Sequence, residues 1–451
     1  MRRRYGFCRL RGLPVKARPT EPVRAAAGWH TDGVGALSVI DAGFLAILAG
    51  GSALLGIASW LARRRRWRRV LLAACAALVA ISFAADAVNA HFQYLPRVSD
   101  VLGQRDWPTV PQAALREIAY VRATQPAPTG TSTQILASPR STSASPAPES
   151  STPTAVRSFT TATGRAASAH KEPSSRVVSG ILAARARGAV VTLNISDVGV
   201  GFDARHAMVY LPPQYFSNPN ERFPVVYLLH GSPGMPVDWL RGGGAATAGL
   251  AAARSGHPQV LVIPHLSRNW LDDSECVDGA HMLVETYVVK DLVPAIDHQL
   301  RTTAEPAARA LAGMSAGGYC ALNLGLRNRG MFGSIIDMSG FTHPTHTGGM
   351  AALFGHRSDL AAVVTANSPG LYAATLTPSP PTQIYLLCGT SDRSALTQMQ
   401  RIRDTLQRRG IPVTWSTRPG GHTYGVWRPG LVAALSWLAA PQASPQPSAL
   451  P

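Results

Sequence analysis

The chain has 451 residues, of which 43 are Lys or Arg and 25 are Asp or Glu, giving a formal net charge of +18. An apolar share of 46% excludes a wholly disordered chain, and the length leaves room for one large domain with further segments around it. The charge is unevenly placed: residues 1–69 hold 14 basic and three acidic residues, whereas residues 176–440 hold 21 and 16. Residues 176–440 contain no Lys/Arg stripe interleaved with aromatics, so the high pI belongs to a membrane-flanking region and argues against a nucleic-acid partner. Forty of the basic residues are arginine and only Lys16, Lys171 and Lys290 are lysine, a bias expected of a GC-rich genome of the actinobacterial type.

Residues 1–33 form a basic arm without structural pattern, and a start at Val34 would give a tidier membrane protein. Residues 34–92 then predict two transmembrane helices, Val34 to Ala62 and Val70 to Ala90, each long enough for a ~30 Å hydrocarbon core. The length of the first stretch and the second one close behind it argue against a cleaved signal peptide. Between them stands Arg63-Arg64-Arg65-Arg66-Trp67-Arg68-Arg69, which the positive-inside rule places in the cytoplasm, leaving the N-terminus and the rest of the chain outside. The arginines of the N-terminal arm (Arg2, Arg3, Arg4, Arg9, Arg11) pull the other way but lie farther from the first span. Residues 93–175 begin with a juxtamembrane segment and a helix-like patch at Gln112 to Val121. They then become a Ser/Thr/Pro/Ala tract with too few large apolar side chains to offset the entropy of folding. This tract is expected to be a disordered tether that holds the following domain off the membrane, and residues 441–451 a disordered tail.

Residues 176–440 read as a single domain. Strands are predicted around Val190 to Leu193, Ala207 to Leu211, Val225 to Leu229, Val260 to Ile263, Arg309 to Ala312, Gly333 to Asp337, Ile384 to Cys388 and Val413 to Ser416. Helices fall between the later strands, at Val284 to Gln299 and Ala316 to Leu326 among others, and a last one runs from Pro429 to Leu438. Apolar strands alternating with helices predict an α/β fold with a mostly parallel central sheet covered on both faces. The first two strands, with no helix between them, are expected to be antiparallel.

Gly313-Met314-Ser315-Ala316-Gly317 stands between a strand and a small-residue helix start and predicts a nucleophile elbow with Ser315 at its apex. Upstream, the strand Val225 to Leu229 opens into His230-Gly231-Ser232-Pro233-Gly234, where this architecture places the second amide of an oxyanion hole; the first is that of Ala316. The second is assigned to Ser232. Downstream, Gly389-Thr390-Ser391-Asp392 follows a strand, and Gly420-Gly421-His422 follows the last one. The order Ser315, Asp392, His422 is that of the α/β-hydrolase triad. Asp392 could also cap the helix after it, and Asp337 is the rival acid. His230, Trp239 and Trp270 are candidate substrate-binding residues, with a core role open for the two tryptophans.

The run Val209-Tyr210-Leu211-Pro212-Pro213, Tyr227-Leu228-Leu229-His230-Gly231, Glu285-Thr286-Tyr287 with Asp291-Leu292-Val293-Pro294, Gly313 to Gly318, and Gly421-His422 resembles an esterase family. That family contains esterase D (S-formylglutathione hydrolase), feruloyl and enterochelin esterases, and the antigen 85 mycolyltransferases. The resemblance spans about residues 190 to 440 and implies an α/β-hydrolase fold, with Ser315 as nucleophile, Asp392 as acid, His422 as base and the Ser232 and Ala316 amides as oxyanion donors. Mycolyltransferases carry an acidic residue before the glycine of the first oxyanion loop. Here His230 stands there, as in the hydrolases, which counts against trehalose acyl transfer.

The acidic cluster Asp272, Asp273, Glu275 and Asp278 lacks the spacing of a calcium loop, and His343 and His346 have no third ligand nearby, so neither a metal nor another cofactor is expected. Cys276 and Cys320 both belong near the catalytic edge and are expected to pair, while Cys388 lies inside a strand. The sequence therefore predicts a membrane-anchored, extracytoplasmic serine esterase acting on carboxylic esters. Transfer of the acyl group to a cell-envelope lipid or glycolipid is the same-site alternative, and a non-catalytic envelope binding protein the different-class one.

Overall fold

The computed structural model describes residues 42–61, 66–102, 107–119, 121, 174–195 and 199–440. The basic arm, the start of the first expected span, the arginines at 63–65, the bulk of the linker and the C-terminal tail lie outside these residues.

Eight strands form one sheet in the order β1-β2-β4-β3-β5-β6-β7-β8. They are β1 (Ala189–Asn194), β2 (His206–Leu211), β3 (Val225–Leu229), β4 (Val260–Pro264), β5 (Arg309–Met314), β6 (Ser334–Met338), β7 (Gln383–Gly389) and β8 (Val413–Arg418). As expected, β1 and β2 are antiparallel; β2 also runs antiparallel to β4, and all later pairs are parallel. The central strands are buried throughout because both faces are covered. In β3, Val225, Tyr227 and Leu229 join one core, while Val226 and Leu228 join the other. The pleat divides the residues of one strand between two layers.

The helices that matter for the site are α1 (Ala42–Leu61), α2 (Arg66–Phe92), α3 (Ser175–Arg187), α4 (Val237–Arg241), α5 (Ala245–Arg254), α6 (Val293–Gln299), α7 (Ala316–Arg327), α8 (Arg393–Arg408) and α9 (Tyr424–Ala439). Helices α7 and α8 bury Leu322, Leu324, Met399 and Ile402 on one face of the sheet, and α4, α5 and α9 bury Trp239, Leu240, Ala248, Trp427 and Leu431 on the other. Full burial of each large apolar side chain contributes about 1.5–3 kcal/mol. The expected helix at 284–299 is present, but Tyr287–Leu292 within it takes π-helical form before α6. Helix α9 starts well before Pro429, where the sequence placed its first residue. The proline removes one interior bond, whereas the extra turn puts Val426 and Trp427 into the core.

Helices α1 and α2 pack antiparallel, pinned by Ser52 Oγ donating to Ala76 O (3.1 Å) and Ser59 Oγ to Arg69 O (2.9 Å). Their outer faces leave Leu54, Leu78 and Ile81 exposed. Among the described residues only α2 is long and apolar enough to cross a membrane, since the apolar part of α1, Phe44–Trp60, is shorter. Of the two expected spans, the second is a helix of that length, and the first is described only from Ala42 onward.

The patch at Gln112–Glu117 is a 3-10 helix rather than an α-helix. It packs on the catalytic domain: Ala114, Ile118 and Val121 are buried in the first core, and Pro108 and Val110 exchange backbone bonds with Val190 at the edge of β1. Beyond the linker, α3 buries Ile181 and Ala184 in the same core.

Candidate active site

Every loop that builds the site leaves the C-terminal edge of a parallel strand. Between β5 and α7 the chain turns so sharply that Ser315 takes φ 57° and ψ −126°, a conformation a non-glycine residue adopts only where its surroundings impose it. Two glycines make the turn possible. A Cβ on Gly313 would stand 1.7 Å from Gly317 O, and one on Gly317 would stand 2.1 Å from Leu229 O. Ala316 is the first residue of α7, where a helix offers its backbone N–H no internal acceptor.

Ser315, Asp392 and His422 converge as expected. His422 Nε2 lies 2.7 Å from Ser315 Oγ, and His422 Nδ1 lies 2.8 Å from Asp392 Oδ2. Asp392 also caps α8, because its Oδ1 accepts from Ala395 N (3.3 Å) and Ser394 Oγ (2.8 Å). Its two oxygens therefore face both the imidazole of His422 and the start of α8. Burial alone would raise the pKa of this carboxyl, but hydrogen bonds from His422, Ser394 and Ser339, together with the charge of His422, bring it down to about 2. Asp337, the rival acid, is fully buried beneath the start of α7 and accepts from Gly340 N at 2.7 Å. Burial pushes its carboxyl up to about 7.

The imidazole of His422 is flanked by Phe341, stacked at 6.1 Å, and by Trp427, edge-on at 4.8 Å. Neither contact was expected. Phe341 lies just beyond β6 on the catalytic edge, a position that could have marked it; Trp427 sits in the turn of α9 that the proline concealed.

The loop after β3 is pressed against the nucleophile, since a Cβ on Gly231 would lie 3.3 Å from Ser315 Cβ. The loop is held by Asp238 Oδ2, which accepts from Met235 N (2.7 Å), and by Gly234 N donating to Trp270 O (2.9 Å). Ser232 bonds Asp273 through its side chain. His230 is buried behind this loop with Nδ1 2.9 Å from Gly231 O, and burial lowers its pKa, so it stands as a neutral support. Trp239 is fully buried in the core under α4 rather than in the cleft. Trp270 lies on the rim and is 59% exposed.

The acidic cluster disperses: Asp272 pairs with Arg268, Asp273 with Ser232, Glu275 with Thr345, and Asp278 with Thr286. Burial and the charge of Asp273 push the Glu275 carboxyl up to about 8, against the hydrogen bonds from Thr345. No group of metal-ligating side chains is present among the described residues. Cys276 and Cys320 form the expected disulfide, with Cα atoms 5.4 Å apart, and it ties this loop to α7. A cavity of about 830 Å³ lies elsewhere, between the juxtamembrane segment and α3, α5 and α9. Ser315 itself is half-buried.

The sheet order and the serine on its strained turn define an α/β-hydrolase. The model of the Putative esterase family matches residues 203–438, and the chain belongs to that family. An uncharacterized protein of Corynebacterium glutamicum is 29% identical over 252 residues, covering 54% of this chain and 59% of that protein. An esterase of Mycobacterium tuberculosis is 27% identical over 241 residues, covering 48% and 52%. The chain thus spans somewhat over half the length of these curated relatives. Among solved structures, a ferulic acid esterase superposes with a TM-score of 0.50 at 25% identity, covering 56% of this chain and 97% of that one.

Proposed function

We propose that this protein is a membrane-anchored serine esterase whose catalytic domain works outside the cytoplasm and hydrolyses carboxylic esters through an acyl-enzyme on Ser315. The observation that carries this reading is the unbroken contact from Ser315 Oγ through the His422 ring to Asp392. His422 Nε2 takes the proton from Ser315 Oγ as the oxygen attacks the ester carbonyl, and the amides of Ser232 and Ala316 hold the oxyanion. The protonated imidazole gives its proton to the leaving alcohol. Water then attacks the acyl-enzyme with His422 again as base, releasing the acid and free Ser315. Asp392, ionised down to about pH 2, fixes the ring with Nδ1–H toward itself and stabilises the imidazolium.

Membership of an esterase family and an esterase among the relatives support ester hydrolysis. The apolar α2, with Arg66, Arg68 and Arg69 at its start, supports an anchor whose C-terminal end leaves the membrane on the outer side. An envelope lipid or sugar hydroxyl in place of water would turn the same residues to acyl transfer; His230 before Gly231 favours hydrolysis. The test is hydrolysis of short-chain p-nitrophenyl esters by the purified chain, which Ser315→Ala should abolish. Equal activity in that variant would place the chemistry elsewhere.

A further inference from the structure

The chain leaves α2 directly onto the catalytic edge. Gln93 takes φ 57°, which stops the helix, and Asn89 closes the turn by bonding both backbone groups of Leu95 (2.7 and 2.8 Å). The next residue after Gln93 touches two of the loops that build the site. Tyr94 Oη donates to Asp238 Oδ1 at 2.6 Å, and the other oxygen of Asp238 holds Met235 N in the loop that carries Ser232. On its other side the Tyr94 ring meets Tyr424 edge-on at 5.0 Å; Tyr424 meets Trp427 at 5.1 Å, and Trp427 meets His422 at 4.8 Å. Arg428 closes the clasp by donating to Gln93 O (3.0 Å), Tyr94 O (3.2 Å) and Gly242 O (2.8 Å).

No free spacer separates α2 from the domain. The Ser/Thr/Pro/Ala tract lies farther along the chain, between Val121 and α3, and both of those pack on the domain. The link from α2 to the domain therefore does not run through that tract. A third loop on the same edge, after β4, carries Trp270 and Leu271, which are 59% and 64% exposed, and Trp270 O holds Gly234 N. A large exposed apolar pair on the same edge as the exit of an apolar helix suits the interface of a bilayer, where tryptophan concentrates.

We infer that α2 holds the mouth of the active site against the bilayer surface, so that the substrates are esters presented from the membrane rather than esters free in solution. This rests on the esterase reading and on α2 as the anchor, and it assigns the substrate class for that site. The scissile bond of a lipid ester lies at the interface, where the clasp places Ser315, and a mouth fixed there meets a high local concentration of such bonds.

The test places the full chain in phosphatidylcholine vesicles and compares p-nitrophenyl acetate in water with p-nitrophenyl palmitate embedded in the same vesicles. The decisive variant carries ten Gly/Ser residues between Val88 and Asn89. It keeps the turn at Asn89 and the clasp at Tyr94, leaves Arg66 to Val88 at ~35 Å of helix to span the bilayer, and frees the domain by roughly 17 Å. The expected result is unchanged hydrolysis of the acetate and at least a tenfold loss on the embedded palmitate. Equal rates of wild type and spacer variant on the palmitate would overturn the inference while leaving the esterase reading in place. Failure of the wild type on both esters would overturn the esterase reading and this inference together.

Discussion

The elbow at Ser315 and the clasp at Tyr94 both shape the active site, yet they are encoded in opposite ways. The elbow is local: two glycines within five residues allow a backbone that any Cβ would block, and the serine between them has no other place to go. The clasp is remote: Tyr94 finds Asp238 across 144 residues of sequence, and nothing near residue 94 announces the meeting. Steric necessity leaves a mark in the sequence, whereas complementarity between distant surfaces appears only when the chain is folded.

The sharpest way to break the comparison is to attack the local part. Asp392→Asn and His422→Ala should each lower kcat on a soluble ester by at least ~10³, while Asp337→Asn stays within about tenfold of wild type. Loss of activity in Asp337→Asn with Asp392→Asn intact would show the acid to be misassigned. Next in size is the Cys276–Cys320 bridge, which fastens the acidic loop to α7. Cys276→Ser with Cys320→Ser should cost about 2–4 kcal/mol in urea unfolding, with kcat of the folded protein little changed. An unchanged midpoint would remove the bridge from the account.

The remote part should give smaller and more selective effects. Tyr94→Phe removes the bond to Asp238 but keeps the ring, and it is expected to lower kcat for a soluble ester about tenfold with KM unchanged, equivalent to ~1.4 kcal/mol. A change in KM alone would make Tyr94 a surface contact and not a positioning residue. A separate effect, on the pH dependence of stability, concerns Glu275, whose folded carboxyl is pushed up to about 8 from an ordinary 4.5. The folded state then holds the proton more tightly than the unfolded chain, so stability is full below pH 4.5 and declines as pH rises toward 8. In Glu275→Gln, Tm should fall less between pH 5 and pH 8 than in wild type; an identical slope would show that Glu275 does not titrate there.

What could be read in advance follows the same division. The eight strands were legible because continuous apolar runs bounded by turn residues have few other uses, and Ser315, Asp392 and His422 because each follows such a run in a glycine- or Asx-marked loop. Trp239 stayed open between cleft and core because an indole near a strand end has the same signature in both, and only packing separates the two. Pro429 misled because helix-breaking rules act locally, while burial of Trp427 against His422 does not. The docking of Tyr94 and of residues 107–119 was invisible for the same reason as the clasp: its partners, β1 and α9, lie far along the chain. Phe341 and Ser339, which flank His422 and Asp392, are set by the edge of β6 and carry no motif of their own.

The central claim is that Ser315 is the nucleophile of an active serine hydrolase. Labelling the full-length chain with a fluorophosphonate, followed by peptide mapping, tests it most directly. The account predicts a single covalent adduct on Ser315, formed in wild type and lost in Ser315→Ala and His422→Ala. An unlabelled wild type that is folded, or an adduct on any other residue, would contradict it.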